Sequence, residues 1–425
     1  MPYENNFQHA KYSRSDPGDR VKYPVFQTGP ELDSPMWTQG MEQVGRQLVQ
    51  AGVRGIIFLS GHPYMDLFGA ARLDEAGGLK RGYSRGVSGL ESLLALLRPG
   101  TNGIVNPKDS IHPPLTNEPH SIDSLDTLAG EIGNFSNGYV QRFAKSIHQN
   151  GQKPIVCERY VWSSINHHLG RVEAAIDLLD FLEKRFHDDF YGPSPRVLLV
   201  GHGHAGQVLA LLSNILAAGE SDARSRVFEI LAGYWQVSPD GRHSVDRLET
   251  LFKMVVEGRI LNGAIVDVVT LGTPVRYGWD TSGVGQMLHV VNHRPIRPDG
   301  KRWLSKMELP QIAWEMPYLS GGDYVQQLAV AGTDEWPSIE AAQKAIEDFR
   351  EIFEPYDGFE RWLECARRST RCQNDGMCRL VDYPVQVENG HRGHLFGHGC
   401  YTEIRTMYFT AKEIVDALYP VPKIE

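Results

Sequence analysis

The stretch Val197-Leu198-Leu199-Val200-Gly201-His202-Gly203-His204-Ala205-Gly206 joins an apolar run to a glycine-rich turn. Its apolar run is too short for a core helix and suits a strand buried on both faces, the kind that parallel sheets use. A glycine-rich turn follows, and then the apolar run 208–218, which suits a helix packed against that sheet. Small residues stand at 201, 205 and 206, where a strand and the helix leaving it crowd together. At the centre of the turn is Gly203, which carries no side chain at all.

Working outward, the same pattern repeats. Helical periodicity through Met41, Val44, Leu48 and Val49 ends at Gly52, and residues 55–59 follow as a buried strand. Residues 154–157 read as a strand and 170–186 as a helix. In that helix Val172, Ala175, Ile176, Leu179 and Leu182 share one face, and Glu173, Asp177, Asp180 and Glu183 take the other. Downstream, 265–271, 287–291, 325–330 and 379–381 read as strands, and 411–419 closes the chain as a helix. Strands alternating with helices imply an α/β fold with a mostly parallel central sheet and helices on both faces. Residues 1–25 read as an irregular arm and 26–425 as a single domain. Pro-, Gly- and Trp-rich insertions are expected near 99–138 and 294–318.

Composition narrows the function classes. The formal net charge of -9 argues against nucleic acid or an anionic membrane as partner. The polar N-terminus lacks the apolar core of a secretory signal, and no window approaches the roughly 20 apolar residues that span a bilayer. A cytoplasmic protein with no transmembrane segment is the expectation. Five cysteines are too few for a disulfide framework in 425 residues. Cys365, Cys372 and Cys378 cluster without the two-residue spacing of zinc knuckles, so neither a metal nor a cofactor is expected.

Three landmarks then fall in order: the turn at Gly201-His202-Gly203-His204-Ala205, the segment Gly332-Thr333-Asp334-Glu335, and Gly397-His398-Gly399. Together they resemble the α/β-hydrolase superfamily, of the serine esterase or lipase-like kind, over most of the chain from residue 55. That resemblance implies an α/β-hydrolase fold with nucleophile, acid and histidine in chain order, each beyond the carboxyl end of a strand. The implied positions are Gly203 where serine is expected, Asp334 with neighbouring Glu335 as the alternative acid, and His398. The histidine would move the proton and the carboxylate would hold its tautomer. Oxyanion donors are implied at the backbone N–H of His204 and at or near His62. Asp280 is a more distant candidate for the acid, and His391 and His394 for the histidine.

Other readings stay open. Gly201, Gly203 and Gly206 also fit the spacing of a dinucleotide fingerprint, although Glu220 and Asp222 come at the end of a helix and not after a second strand. The trio His391, His394 and His398 lacks a carboxylate or cysteine pattern that would complete a metal site. Asn166 or a neighbouring residue caps the helix at 170, with His167 and His168 filling the sheet edge. Gly272-Thr273-Pro274 reads as a turn lining the pocket. The expected function is a carboxylic-ester hydrolase scaffold impaired at Gly203, with a small ester or acyl compound as its ligand. The alternatives are a non-catalytic, ligand-binding pseudo-hydrolase and a dinucleotide-binding oxidoreductase.

Overall fold

The computed structural model of the chain describes residues 21–22, 24–61, 126–127, 130–148, 154–186, 195–238, 243–274, 276–292, 322–323, 325–326, 337, 339–353, 375–383 and 397–421. Within them one sheet is built from β1 (Val21–Lys22), β2 (Val53–Gly61), β3 (Val156–Tyr160), β4 (Arg196–Gly203), β5 (Ile265–Leu271), β6 (Met287–Asn292) and β7 (Met377–Val381). The order across the sheet is β1-β7-β6-β5-β4-β2-β3, and every neighbouring pair is parallel. All carboxyl ends therefore lie along one edge, where open sheets of this kind hold their ligands.

The helices are α1 (Pro35–Gln50), α2 (Asn137–Ile147), α3 (His168–Phe186), α4 (Ala205–Ile215), α5 (Asp222–Val237), α6 (Val245–Val256), α7 (Glu340–Phe353) and α8 (Met407–Leu418). Strand side chains alternate between two separate cores, as a period of two requires. Ile57, Leu59, Val197, Leu199, Val266 and Val268 face the core shared with α3 to α7. Ile56, Phe58, Leu198, Val200, Val269 and Leu271 face α1, α2 and α8 on the other side. Helix α4 is buried along its whole length, so its apolar sequence is that of a core helix and fixes its start under β4.

Local sequence explains most helix starts. Ser34, Ser136, Ser221 and Ser244 each accept a hydrogen bond from the backbone N–H three residues on, and Pro35 follows the first of them. Helix α3 is capped by an imidazole instead: His167 Nδ1 accepts from Gly170 N–H at 3.0 Å. At the start of β4 the carboxylate of Asp267, fully buried, accepts from Arg196 at 2.9 Å and from Tyr419 at 2.7 Å.

Several expectations change. Val21–Lys22, placed by the sequence in an irregular arm, extends the sheet beside Cys378 and Arg379. Val325 and Gln326 are helical, so the strand expected at 325–330 does not begin there. Helices α2, α5, α6 and α7 were not anticipated from periodicity. The insertion expected at 294–318 lies outside the described residues, as does most of 99–138. Among the described residues no helix is long and apolar enough to cross a membrane.

Candidate active site

Strand β4 delivers the turn that carries the site. Gly203 ends it at φ +57°, in the left-handed region where a residue with a side chain is strained by on the order of 1–3 kcal/mol. Its carbonyl accepts from the Thr273 hydroxyl at 2.9 Å, which ties the turn to the loop after β5. Gly61, at the end of β2, sits directly beside Gly203 in the sheet register. A β-carbon at 61 would come within 2.7 Å of the His204 amide nitrogen and 2.3 Å of that of Ala205, so only glycine fits.

His398 arrives from the loop after β7 and is almost wholly buried. Its ring faces Gly203: a β-carbon at 203 would lie 2.6 Å from Nε2 and 3.4 Å from Cε1. Nδ1 is 2.7 Å from Oδ2 of Asp323, whose side chain is fully buried. In the neutral ring this carboxylate holds the proton on Nδ1 and leaves the lone pair on Nε2. Nε2 has no hydrogen-bond partner among the described residues. His202 braces the assembly, its Nε2 donating to the His398 carbonyl at 2.8 Å with ring centroids 4.3 Å apart.

Asp323 is itself held from three sides. Besides His398, it accepts from the Tyr401 hydroxyl at 2.9 Å and from Gln326 N–H at 2.8 Å. Its own N–H donates to the Asn292 carbonyl at 3.0 Å, which returns the chain to the end of β6. Asn292 N–H donates in turn to the Tyr401 hydroxyl at 2.6 Å. Burial, and then the neighbouring Asp323, push the Tyr401 hydroxyl well above its ordinary range, so it stays protonated as the donor. Tyr401→Phe is expected to lower stability by about 1–3 kcal/mol, because it strips one donor from a buried carboxylate and one acceptor from a buried amide. Chemical denaturation checks this, and an unchanged midpoint would show that Phe lets water or a neighbour replace both contacts.

The carboxylate that meets His398 is not one of those the sequence singles out. Asp334 and Glu335 lie outside the described residues, and the carboxylate on His398 belongs to Asp323. In the sequence, residue 323 stands far from the end of β6. A local signal existed: Asp323 followed three residues later by Gln326 is a helix-start pair, and Asp323 does cap that turn. Asp280, the more distant candidate, caps the turn at Ser282 instead. His391, His394 and the expected donor position His62 lie outside the described residues.

His204 follows Gly203 and stands at the entry to α4. Its side chain is also informative. Burial, with the nearby Arg171, His398 and Arg276, lowers the imidazole to about 3 against one opposing hydrogen bond to Gln207 Oε1. The two arginines belong to a buried polar group that sequence reading missed. Arg171 donates to the Tyr277 hydroxyl at 2.9 Å and also to Asn166; His168 Nδ1 lies 2.8 Å from the same hydroxyl. Asn166, His167 and His168 therefore serve the entry to α3 rather than the turn at 203.

The glycine spacing has its own structural account. A β-carbon at 201 would meet the Leu209 side chain at 2.8 Å, and one at 206 would meet Thr273 Oγ1 at 2.0 Å. Close packing of strand, helix and neighbouring loop requires these glycines without a dinucleotide. Among the described residues no three His, Cys, Asp or Glu side chains are gathered as metal ligands. Comparison with known proteins finds no matching family model, no matching curated protein and no matching solved structure.

Proposed function

We propose that this chain is an α/β-hydrolase-fold protein of the carboxylic-ester hydrolase type, with glycine at the nucleophile's position. Its site binds a small ester or acyl compound and forms no serine acyl-enzyme. One observation carries the reading: a buried Asp323–His398 pair directs Nε2 at a left-handed residue on the strand-to-helix turn. Gly203, Asp323 and His398 also follow in the chain order of nucleophile, acid and histidine in that superfamily, on one edge of a parallel sheet.

Each part has a task in acyl transfer. His398 Nε2 would take the proton of an attacking hydroxyl, Asp323 would stabilise the imidazolium that results, and the His204 N–H would face the developing oxyanion. A hydroxyl at 203 is the missing group. Gly203→Ser is expected to restore hydrolysis of short-chain chromogenic esters and labelling by a fluorophosphonate. The His398 ring must first withdraw by about 1 Å to reach ordinary contact with the new β-carbon. Folded Gly203→Ser protein that neither labels nor turns over an ester panel would sink the reading.

The tight approach of that ring favours a second reading, a pseudo-hydrolase adapted to glycine that binds its ligand without chemistry. Native mass spectrometry separates the two, since a co-purifying ester or acid that wild-type protein leaves intact supports the second.

A further inference from the structure

We propose that His398 Nε2 is itself the attacking atom of this site, forming an acyl-imidazole with small activated esters. This rests on the ester-hydrolase reading of the site, and it assigns the chemistry to a different residue. The ring crowds the place where a nucleophile's side chain would begin, its Nε2 lying 2.6 Å from a β-carbon built on Gly203. Glycine at 203 is what admits it there. Nε2 is buried and without a partner among the described residues, and in the neutral ring, with Nδ1–H donated to Asp323, it carries the lone pair.

The ring is also fixed in position, as a nucleophile must be. Asp323 is anchored by Tyr401 and Gln326, and His202 holds the backbone of His398 from behind. In the first step the Nε2 lone pair bonds to the ester carbonyl carbon and the carbon–oxygen bond to the leaving group breaks. The alcohol departs as its anion, protonated by solvent where its basicity demands. Nδ1 keeps its proton, so the acylated ring is cationic and faces the Asp323 carboxylate. Water then bonds to the acyl carbon, the carbon–nitrogen bond breaks, and the ring returns to neutral as carboxylic acid and a proton are released. Ester and water give acid and alcohol, and no redox partner is involved. Because the ring is only 2% exposed, the acyl group must be small.

The test uses the full chain and p-nitrophenyl acetate. Wild-type protein is expected to release a burst of nitrophenolate, and acid-quenched digests to carry acetyl on His398, with neither in His398→Ala nor in unfolded protein. Gly203→Ala, which builds the β-carbon into the ring's position, is expected to lose the adduct. Asp323→Asn, which forces the other tautomer without changing shape, is expected to lose it too, and this keeps the test decisive if Gly203→Ala fails to fold. Turnover with no acetyl on His398 would overturn the proposal in favour of water attack. Fluorophosphonate labelling of Gly203→Ser with no wild-type adduct would overturn it while leaving the ester-hydrolase reading standing. If neither protein reacts, both readings fall.

Discussion

Asp323→Asn is expected to slow ester hydrolysis by the Gly203→Ser protein about 10⁴-fold while leaving it folded. The carboxylate accepts hydrogen bonds from His398, Tyr401 and Gln326, and its side chain is fully buried. An amide of the same shape fills the same space, so packing is kept. Its NH₂ group cannot accept from Nδ1–H. If it faces the ring, the proton moves to Nε2, and the atom directed at residue 203 becomes a donor with no lone pair. The effect on proton transfer appears in the rates of hydrolysis and fluorophosphonate labelling, beside a loss of stability of about 1–3 kcal/mol from the buried donor that the amide leaves unpaired. The same exchange at Asp334 is the comparison, and a larger loss there would return the role to that residue.

The contrast between these two aspartates shows where sequence stops being informative. Strand β4, the turn at Gly203 and helix α4 are contiguous, so apolar runs and crowding-sensitive glycines disclose them without knowledge of the rest of the fold. His398 was legible for a related reason, as it stands between Gly397 and Gly399 close ahead of the closing helix. The acid was not. Asp323 meets the end of β6 through its N–H to the Asn292 carbonyl, although a long stretch of sequence separates the two residues. Asp334, after an apolar run and a Gly-Thr turn, offered the local pattern that such an acid usually has.

Partners drawn from distant segments were equally silent. The environment of His204 depends on Arg171 at the start of α3 and Arg276 in the loop after β5. No periodicity brings those residues together. Tyr401 likewise reads as an ordinary aromatic near a helix, yet in space it joins the end of β6 to the acid.

Lowering the pH from about 7 to about 5 is expected to destabilise the fold by several kcal/mol, with two buried histidines as identifiable contributors. Burial and the nearby Arg171, His398 and Arg276 lower His204 to about 3, and burial lowers His289 to about 4. Both rings are therefore neutral in the folded chain and take up protons near pH 6.5 once it unfolds. Between 6.5 and the folded values the unfolded state binds more protons, so stability is full above that window and is lost as pH falls through it. Each histidine adds a slope of roughly 1 kcal/mol per pH unit where it is fully engaged. Urea midpoints at a series of pH values measure the slope. His204→Gln and His289→Gln should each flatten it, and the double variant should flatten it most. The interval from 7 to 5 is the informative one, because most carboxylates remain ionised there and acid unfolding through them has not begun. A slope unchanged in both variants would mean that His204 and His289 are protonated in the folded state. The cationic surroundings of His204 and the burial of His289 would then have to be relieved by water reaching both rings.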